Sequence, residues 1–381
     1  MTRSPRSVCR RRPLAVLLLT LGLTAGSLAA GLAPALASAS PAWRIEHYLP
    51  AGEHVENLAI AATGPDNAWI VTSGKVEGTL AVARYNGRRW TAEPVPANLQ
   101  GGATIDALAG SSADNMWLLA TSTGLEADQW TGSAWKQHTV PGLVADSGGV
   151  IAAPAHGGAW VFGSASGAKH SGPWAEHLVG GRWAGMATPG IVISVTALAS
   201  NDIWALANSR KTAGATINHW HMILMRWHGG KWGTIRLPTA RLRGGHATEA
   251  LNFVALGPAD VWAIGTPTVS PCGCGTEPAG LLLEHWNGRR WKVTELRNDK
   301  GVAGPVADGR GGLWLATESG SKLVFVDARG GRQTSYPVPR ADGKTADVDA
   351  LASVPRTTRV WADADLGTGK AARGVILEYV P

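Results

Sequence analysis

The segment Leu281 to Trp291, LLLEHWNGRRW, reads as two strands joined by a tight turn, and the rest of the chain falls into register on it. The run Leu281, Leu282, Leu283 enters Trp286, Asn287-Gly288 has the composition of a two-residue hairpin turn with positive φ angles, and Trp291 opens the returning strand. Upstream, Val254 to Gly265, VALGPADVWAIG, joins two short apolar strands through Gly257-Pro258-Ala259-Asp260. Together the two stretches form a module of four strands.

Versions of this module recur. Trp69, Trp117, Trp160, Trp204, Trp262, Trp314 and Trp361 each follow a turn such as Gly64-Pro65-Asp66-Asn67 or Ser112-Ala113-Asp114-Asn115, at intervals of 43 to 58 residues. A second series, Trp90, Trp135, Trp183, Trp232 and Trp291, follows the hairpin glycines, and in four of the five cases a proline stands six residues on. The sixth unit places Gln333 where this tryptophan belongs. Each unit begins on a small-residue run such as Asp106-Ala107-Leu108-Ala109 or Asp349-Ala350-Leu351-Ala352. Repeats in the forties with four short strands each are the signature of a β-propeller, with small residues at the crowded centre of the ring. The tryptophans are expected to fill the spaces between blades, each contributing about 2 to 3 kcal/mol when buried.

The two ends of the repeat region complement each other. The seventh unit stops at Val375-Ile376-Leu377-Glu378-Tyr379, which matches a third strand, while Pro41 to Pro50, PAWRIEHYLP, resembles the fourth-strand segment Arg89 to Pro96. The expectation is therefore an all-β, seven-bladed β-propeller of four antiparallel strands per blade, closed by an N-terminal strand that completes the last blade and removes the exposed edges.

Residues 1–39 read as an export signal and 40–381 as the propeller. Five arginines precede the apolar run Leu14 to Leu23, and small-residue cleavage sites follow at Ala35-Leu36-Ala37 and Ala37-Ser38-Ala39. The general secretory and twin-arginine routes both fit, and a retained anchor is the alternative to cleavage. No second membrane segment appears, so the processed chain is expected to be secreted or held at the cell envelope, without a span. The leader holds five arginines and no acid, so the net charge falls from +7 to +2 on processing. That balance gives no concentrated basic surface and argues against a nucleic-acid partner.

The repeats resemble those of secreted propeller proteins of high-GC Gram-positive bacteria, with the pattern S-x-x-D-V-W-A-V-G … H-W-N-G-x-x-W … P; Pro258 to Gly265 and Glu284 to Trp291 carry the resemblance best. It covers residues 41–381 and implies a fold and an exported location rather than an activity.

Function is expected where the repeat is broken, because scaffold positions are constrained while loops vary. The fourth unit has a long connection, Asn208 to His221, and the fifth another, Thr266 to Gly280; both adjoin the connector Thr239 to Glu249 on one rim. This sector gathers Arg210, Lys211, His219, Trp220, His221, Arg241, Arg243 and His246 as candidate binding residues, with Cys272 and Cys274 beside them. Three readings stay open there: an anion site for a carboxylated or phosphorylated glycan, a soft metal held by His219, His221 and the two thiolates, and a disulfide between Cys272 and Cys274. Trp174 and Trp220, which stand outside the repeat, are candidates for ligand contact.

Asp66, Asp114, Asp202 and Asp260 repeat beside turns and are expected to bond local backbone. Glu284-His285 and Glu176-His177 are the same pair in two units, on opposite faces of a strand, so they read as structural. No acid is singled out by spacing as catalytic, and no cofactor is called for. The expectation is a monomeric, non-catalytic binding or scaffold protein for a surface glycan or a protein; the alternative is an extracellular hydrolase or lyase acting on polysaccharide.

Overall fold

The computed structural model describes residues 42–50, 54–73, 79–101, 103–122, 124–144, 149–155, 158–166, 171–211, 219–238, 248–269, 277–278, 281–296, 302–317, 322–327, 332–367 and 372–381. These residues form seven antiparallel sheets. The inner strands, a, are His54–Gly64, Thr104–Ser112, Val150–Ala152, Ile191–Ala199, Thr248–Gly257, Val302–Ala307 and Lys344–Ser353. Each lies beside the next, and the last returns to the first, which closes a β-propeller.

The structure corrects the expectation of a seven-bladed propeller. Six, not seven, are blades built from one contiguous run: strands within His54–Glu93, Thr104–Thr139, Leu143–Ala187, Ile191–Arg236, Thr248–Leu296 and Val302–Pro337. The remaining sheet is a composite of both ends, ordered Arg340–Ala341, Lys344–Ser353, Val360–Leu366, Arg373–Val380 and Ala42–Tyr48. Four strands form the frame of every sheet, but short extra strands join three of them. In the third blade, Leu143–Val144 and Val150–Ala152 both pair with Ala159–Ser166; in the fifth, Glu277–Pro278 pairs with Asp260–Val269.

In the composite sheet Trp43 lies opposite Tyr379 and Ala42 opposite Val380, with a bulge between Ile45 and His47. Arg44 binds the buried Glu378 at 2.8 Å, and Arg359 holds the other oxygen of that carboxylate at 2.6 Å. The strand Ala42–Tyr48 is thus fixed by ladder, aromatic and charged contacts together.

Counting each sheet outward from strand a as b, c and d, the repeat tryptophan of strand b is inserted between an aromatic pair of the next sheet in four places. Trp69 meets Trp130 and Trp135 at 5.2 and 5.6 Å, Trp160 meets Trp227 and Trp232 at 5.3 and 5.8 Å, and Trp361 meets Tyr85 and Trp90 at 5.1 and 5.6 Å. At the closure Trp43 and Tyr379 supply the pair for Trp314, at 5.2 and 4.5 Å. Offset and edge contacts of this kind add to the area buried.

The hairpin turns need a second correction. Trp286 pairs with Trp291, so the connection has four residues, and Gly288 alone takes positive φ, +87°. The Asn287 side-chain oxygen accepts the backbone N–H groups of Arg289 and Arg290, both near 3 Å, and Asn86 repeats this in the first blade. Two-residue turns with two positive φ angles occur instead at Gly180-Gly181 and Gly229-Gly230, where a second glycine makes them inexpensive.

Candidate functional site

The residues opposite the strand-b tryptophans form a recurring layer. Arg226 donates two hydrogen bonds to Asp202, at 2.7 and 2.8 Å, with its guanidinium 5.0 Å from the ring of Trp204. The Asp202 partner holds the Arg226 proton more tightly than usual. Arg84 reaches Asn67 at 2.8 Å over Trp69, and Gln129 reaches Asn115 at 2.9 Å beside Trp117. In the fifth blade the Asp260 carboxylate bonds both the Trp262 indole, at 3.0 Å, and His285, at 2.9 Å, while the His285 ring stacks on Trp262 at 4.1 Å. His177 stacks on Trp160 at 3.9 Å, and burial pushes its pKa down to about 4. Asp202 and Asp260 are therefore structural, but through side chains rather than the local backbone expected. Asp114 bonds Ser112 at 2.5 Å.

The next position along strand c faces the preceding sheet. It holds Asp128 in the second blade, Glu176 in the third and Glu284 in the fifth, all buried. Burial raises Asp128 to about 6, although Asn98 donates to it at 3.1 Å, and raises Glu284 to about 7, with one carboxylate oxygen unpaired. Glu176 accepts the Trp174 indole at 2.9 Å, and a side chain at Gly185 would strike both groups. Trp174, half-buried, is thus anchored to the third blade through its indole N–H.

A further buried acid, Asp363, lies in the composite sheet. One of its oxygens accepts the Ala350 N–H at 2.5 Å, and burial first, then the charge of Asp349, raises its pKa. Sequence reasoning passed over Asp128 and Asp363. For Asp363 the signal was a carboxylate at a repeat position that holds an apolar residue in the other units, and for Asp128 it was the recurrence of an acid at the place of Glu176 and Glu284.

In the candidate sector the fourth blade departs from expectation. The long connection is mostly strand: Asp202–Lys211 and His219–His228 stay paired through Ser209↔His221, Arg210↔Trp220 and Lys211↔His219. The innermost strand pairs only as far as Asn208, and strand d only as far as Ile223. Residues 209–211 and 219–221 thus form a two-stranded arm that overhangs the sheet on both sides. It carries Arg210, Lys211, His219, Trp220 and His221; adjacent positions on it face opposite ways. Arg241, Arg243, His246, Cys272 and Cys274 lie outside the described residues, as do residues 1–39, expected to be a leader. Among the described residues no group of three or more His, Cys, Asp and Glu side chains is arranged to hold a metal. No helix among them is long and apolar enough to cross a membrane.

No family model matches the chain, and no curated protein does. Solved structures share its fold. YCF48 bound to D1 peptide superposes with a TM-score of 0.58 at 14% identity, covering 89% of this chain and 95% of that one. A catalytically inactive virginiamycin B lyase from Staphylococcus aureus with quinupristin gives 0.58 at 13%, covering 89% and 100%. The polysaccharide lyase Uly1 gives 0.56 at 11%, covering 88% and 90%. The β-propeller fold is shared; proteins so similar in shape include a peptide-bound protein and two lyases, and the scaffold does not choose between them.

Proposed function

We propose that the processed chain is an exported, non-catalytic β-propeller that binds a surface glycan or an envelope protein through the rim of its fourth and fifth blades. The overhanging arm of the fourth blade carries this reading. It extends a regular ladder past the frame of the sheet and arrays two cations, two histidines and a tryptophan on it. Cationic and aromatic residues on a strand-paired arm suit an acidic or hydroxylated surface ligand. The neighbouring shape with a bound peptide supports a protein ligand as well.

The acids with shifted pKa values support the non-catalytic reading. Asp128 lies on the strand face that carries Trp130, which packs with the first blade's core, and Glu284 on the face that carries Trp286, which packs with the fourth blade's, in different seams. Their shifts are accounted for by burial in the scaffold, so neither needs a reacting partner to explain it.

The test is retention of the processed chain on acidic glycans and on envelope proteins immobilised in parallel. Replacing Arg210 and Lys211 together by Ala, or Trp220 by Ala, is expected to weaken retention about tenfold, roughly 1.4 kcal/mol, with an unchanged melting temperature. Equal retention by all three proteins removes this reading. For location, the leader 1–39 fused to a reporter is expected to deliver it outside the cytoplasm; a reporter that stays in the cytoplasm contradicts export.

A further inference from the structure

The near-balance of charge over residues 40–381, from which no concentrated basic surface is expected, hides a segregation that the ring imposes. In an antiparallel sheet ordered a to d, the a–b and c–d turns share one end and the b–c and d–a connections the other. The a–b turns of neighbouring sheets touch. Ser111 of the second blade donates to the Pro154 carbonyl of the third at 3.1 Å, and Arg359 of the composite sheet donates to the Pro65 carbonyl of the first blade at 3.1 Å. A Cβ at Gly309 of the sixth blade would strike the Thr357 carbonyl of the composite sheet. The c–d turns lie beside them, Gly87 against Asp66 and Gly288 against Ala259. These turns therefore share one face of the ring, and the arm of the fourth blade, a b–c connection, stands at the other.

The face with the turns is basic. The residue before the strand-d tryptophan, or before Gln333 in its place, is Arg89, Arg182, Lys231, Arg290 or Arg332 in five blades, and all five are exposed. Arg88 and Arg289 double the charge in the first and fifth blades, and Arg310 and Arg356 stand exposed on a–b turns of the sixth blade and the composite sheet. Against these nine cations the described turns expose two acids, Asp66 and Asp114. Asp202 and Asp260 are engaged by Arg226 and His285, and Asp308 is buried. No ion pair among the described residues uses any of the nine. Residues 40–381 carry a net charge of only +2, so the basic charge is gathered here rather than spread.

Two features hold these charges in place. The side-chain oxygens of Asn86 and Asn287 each accept the backbone N–H groups of the two arginines that follow the turn glycine, which fixes both Asn-Gly-Arg-Arg loops. Arg356 takes a left-handed φ of +64°, a conformation that glycine or asparagine adopts at lower cost, so the turn itself does not account for an arginine there. The cations stand on inner and outer turns alike, spread over a surface rather than strung along a line. Val179, beside the third blade's turn, is the one large apolar side chain exposed on these turns among the described residues.

We propose that this face docks on an anionic lipid bilayer. A two-dimensional array of guanidinium groups matches a plane of phosphate headgroups, because each presents paired donors to phosphate oxygens. With almost no exposed apolar side chain to enter the acyl region, the contact is electrostatic and reversed by salt. The arm of the fourth blade is then turned away from the bilayer.

The test is co-sedimentation of the chain from Ser40 onward with vesicles of phosphatidylglycerol and phosphatidylcholine in equal parts, against vesicles of phosphatidylcholine alone. Binding to the mixed vesicles only is expected, and its loss in about 1 M salt, where the Debye length falls to about 3 Å. An arginine near such a surface contributes about fivefold to the partition constant, so replacing Arg88, Arg89, Arg289 and Arg290 together by Ala is expected to weaken binding about a hundredfold or more. Asn86, Gly87, Asn287 and Gly288 are kept so that the loops still close. Arg356→Gly removes one charge and relaxes its turn; it is expected to weaken binding about fivefold without lowering the melting temperature, and it carries the test if the fourfold variant does not fold. No binding to the mixed vesicles, equal binding to the neutral ones, or undiminished binding by a folded variant overturns the proposal. So does loss of vesicle binding when Arg210 and Lys211 are replaced by Ala, which would put the contact at the opposite end. Tighter binding of duplex DNA or of a soluble polyuronate at equal charge concentration overturns it too, because the face would then serve a linear polyanion. Retention through the arm is measured with other variants, so either reading can fail without the other.

Discussion

Because Glu284 is buried on the strand face that carries Trp286, with one oxygen unpaired, its carboxyl titrates at about 7 rather than near its ordinary 4.5. The folded state therefore binds this proton more tightly than the unfolded chain does. Stability is undiminished below about pH 4.5, falls as pH rises through the interval to about 7, and carries the full penalty above it. Glu284→Gln is expected to raise unfolding free energy by about 2 to 3 kcal/mol at pH 8 and to change it little at pH 4; denaturant titrations at the two pH values measure the difference. His177 behaves oppositely. Burial against Trp160 lowers its pKa to about 4, so its contribution is complete above about 6.5 and is lost as pH falls through the interval to 4. His177→Gln is expected to flatten that acid limb of the stability profile, and an unchanged limb would show that another group sets it. The repeated Glu-His pair was legible in the sequence as structural, because alternation sends the two side chains to opposite faces. The missing partner of Glu284 was not, since alternation says nothing about what the neighbouring blade presents.

At the scale of elements, one hairpin was readable in LLLEHWNGRRW, and the strand order followed from the repeat of its tryptophans, glycines and prolines along the chain. The turn type was not. Asn287-Gly288 has the composition of a two-residue turn, yet the Asn287 carboxamide closes a four-residue loop by accepting two N–H groups, which leaves only Gly288 at positive φ. A Cβ at Gly288 would also come within 2.8 Å of the Ala259 Cβ in the adjacent turn. Gly288→Ala is thus expected to cost about 1 to 2 kcal/mol, more than Asn287→Ala at about 1; the order of the two melting temperatures checks it. In the sequence, Asn208 to His221 reads as a long connection because it interrupts the repeat. Backbone pairing in a hairpin does not require apolar alternation once the inner rungs are fixed, so Arg210 and His219 end up on strands. The cationic content of the site was visible; its strand pairing was not.

For the whole molecule, closure rests on a strand of seven residues, Ala42–Tyr48, whose covalent connection runs to the first blade while its ladder belongs to the last sheet. Trp43 is packed edge-on against Trp314 and beside Tyr379, and Arg44 shares the buried Glu378 with Arg359. Removing the strand uncovers the edge of Arg373–Val380, strips Trp314 of one aromatic partner and leaves Glu378 on Arg359 alone. A chain beginning after Pro50 is therefore expected to unfold at lower temperature and to associate through that edge, since an unpaired buried strand recruits another. Trp43→Ala, which keeps the ladder but empties the ring's place, is expected to cost about 3 to 5 kcal/mol without association. Adding the peptide Pro41 to Pro50 in trans is expected to restore both the melting temperature and the monomeric elution volume of the shortened chain. A shortened chain that melts and elutes as the complete one does would mean that the other six blades close the ring by themselves, and the seam between the termini would then be ornament rather than the latch.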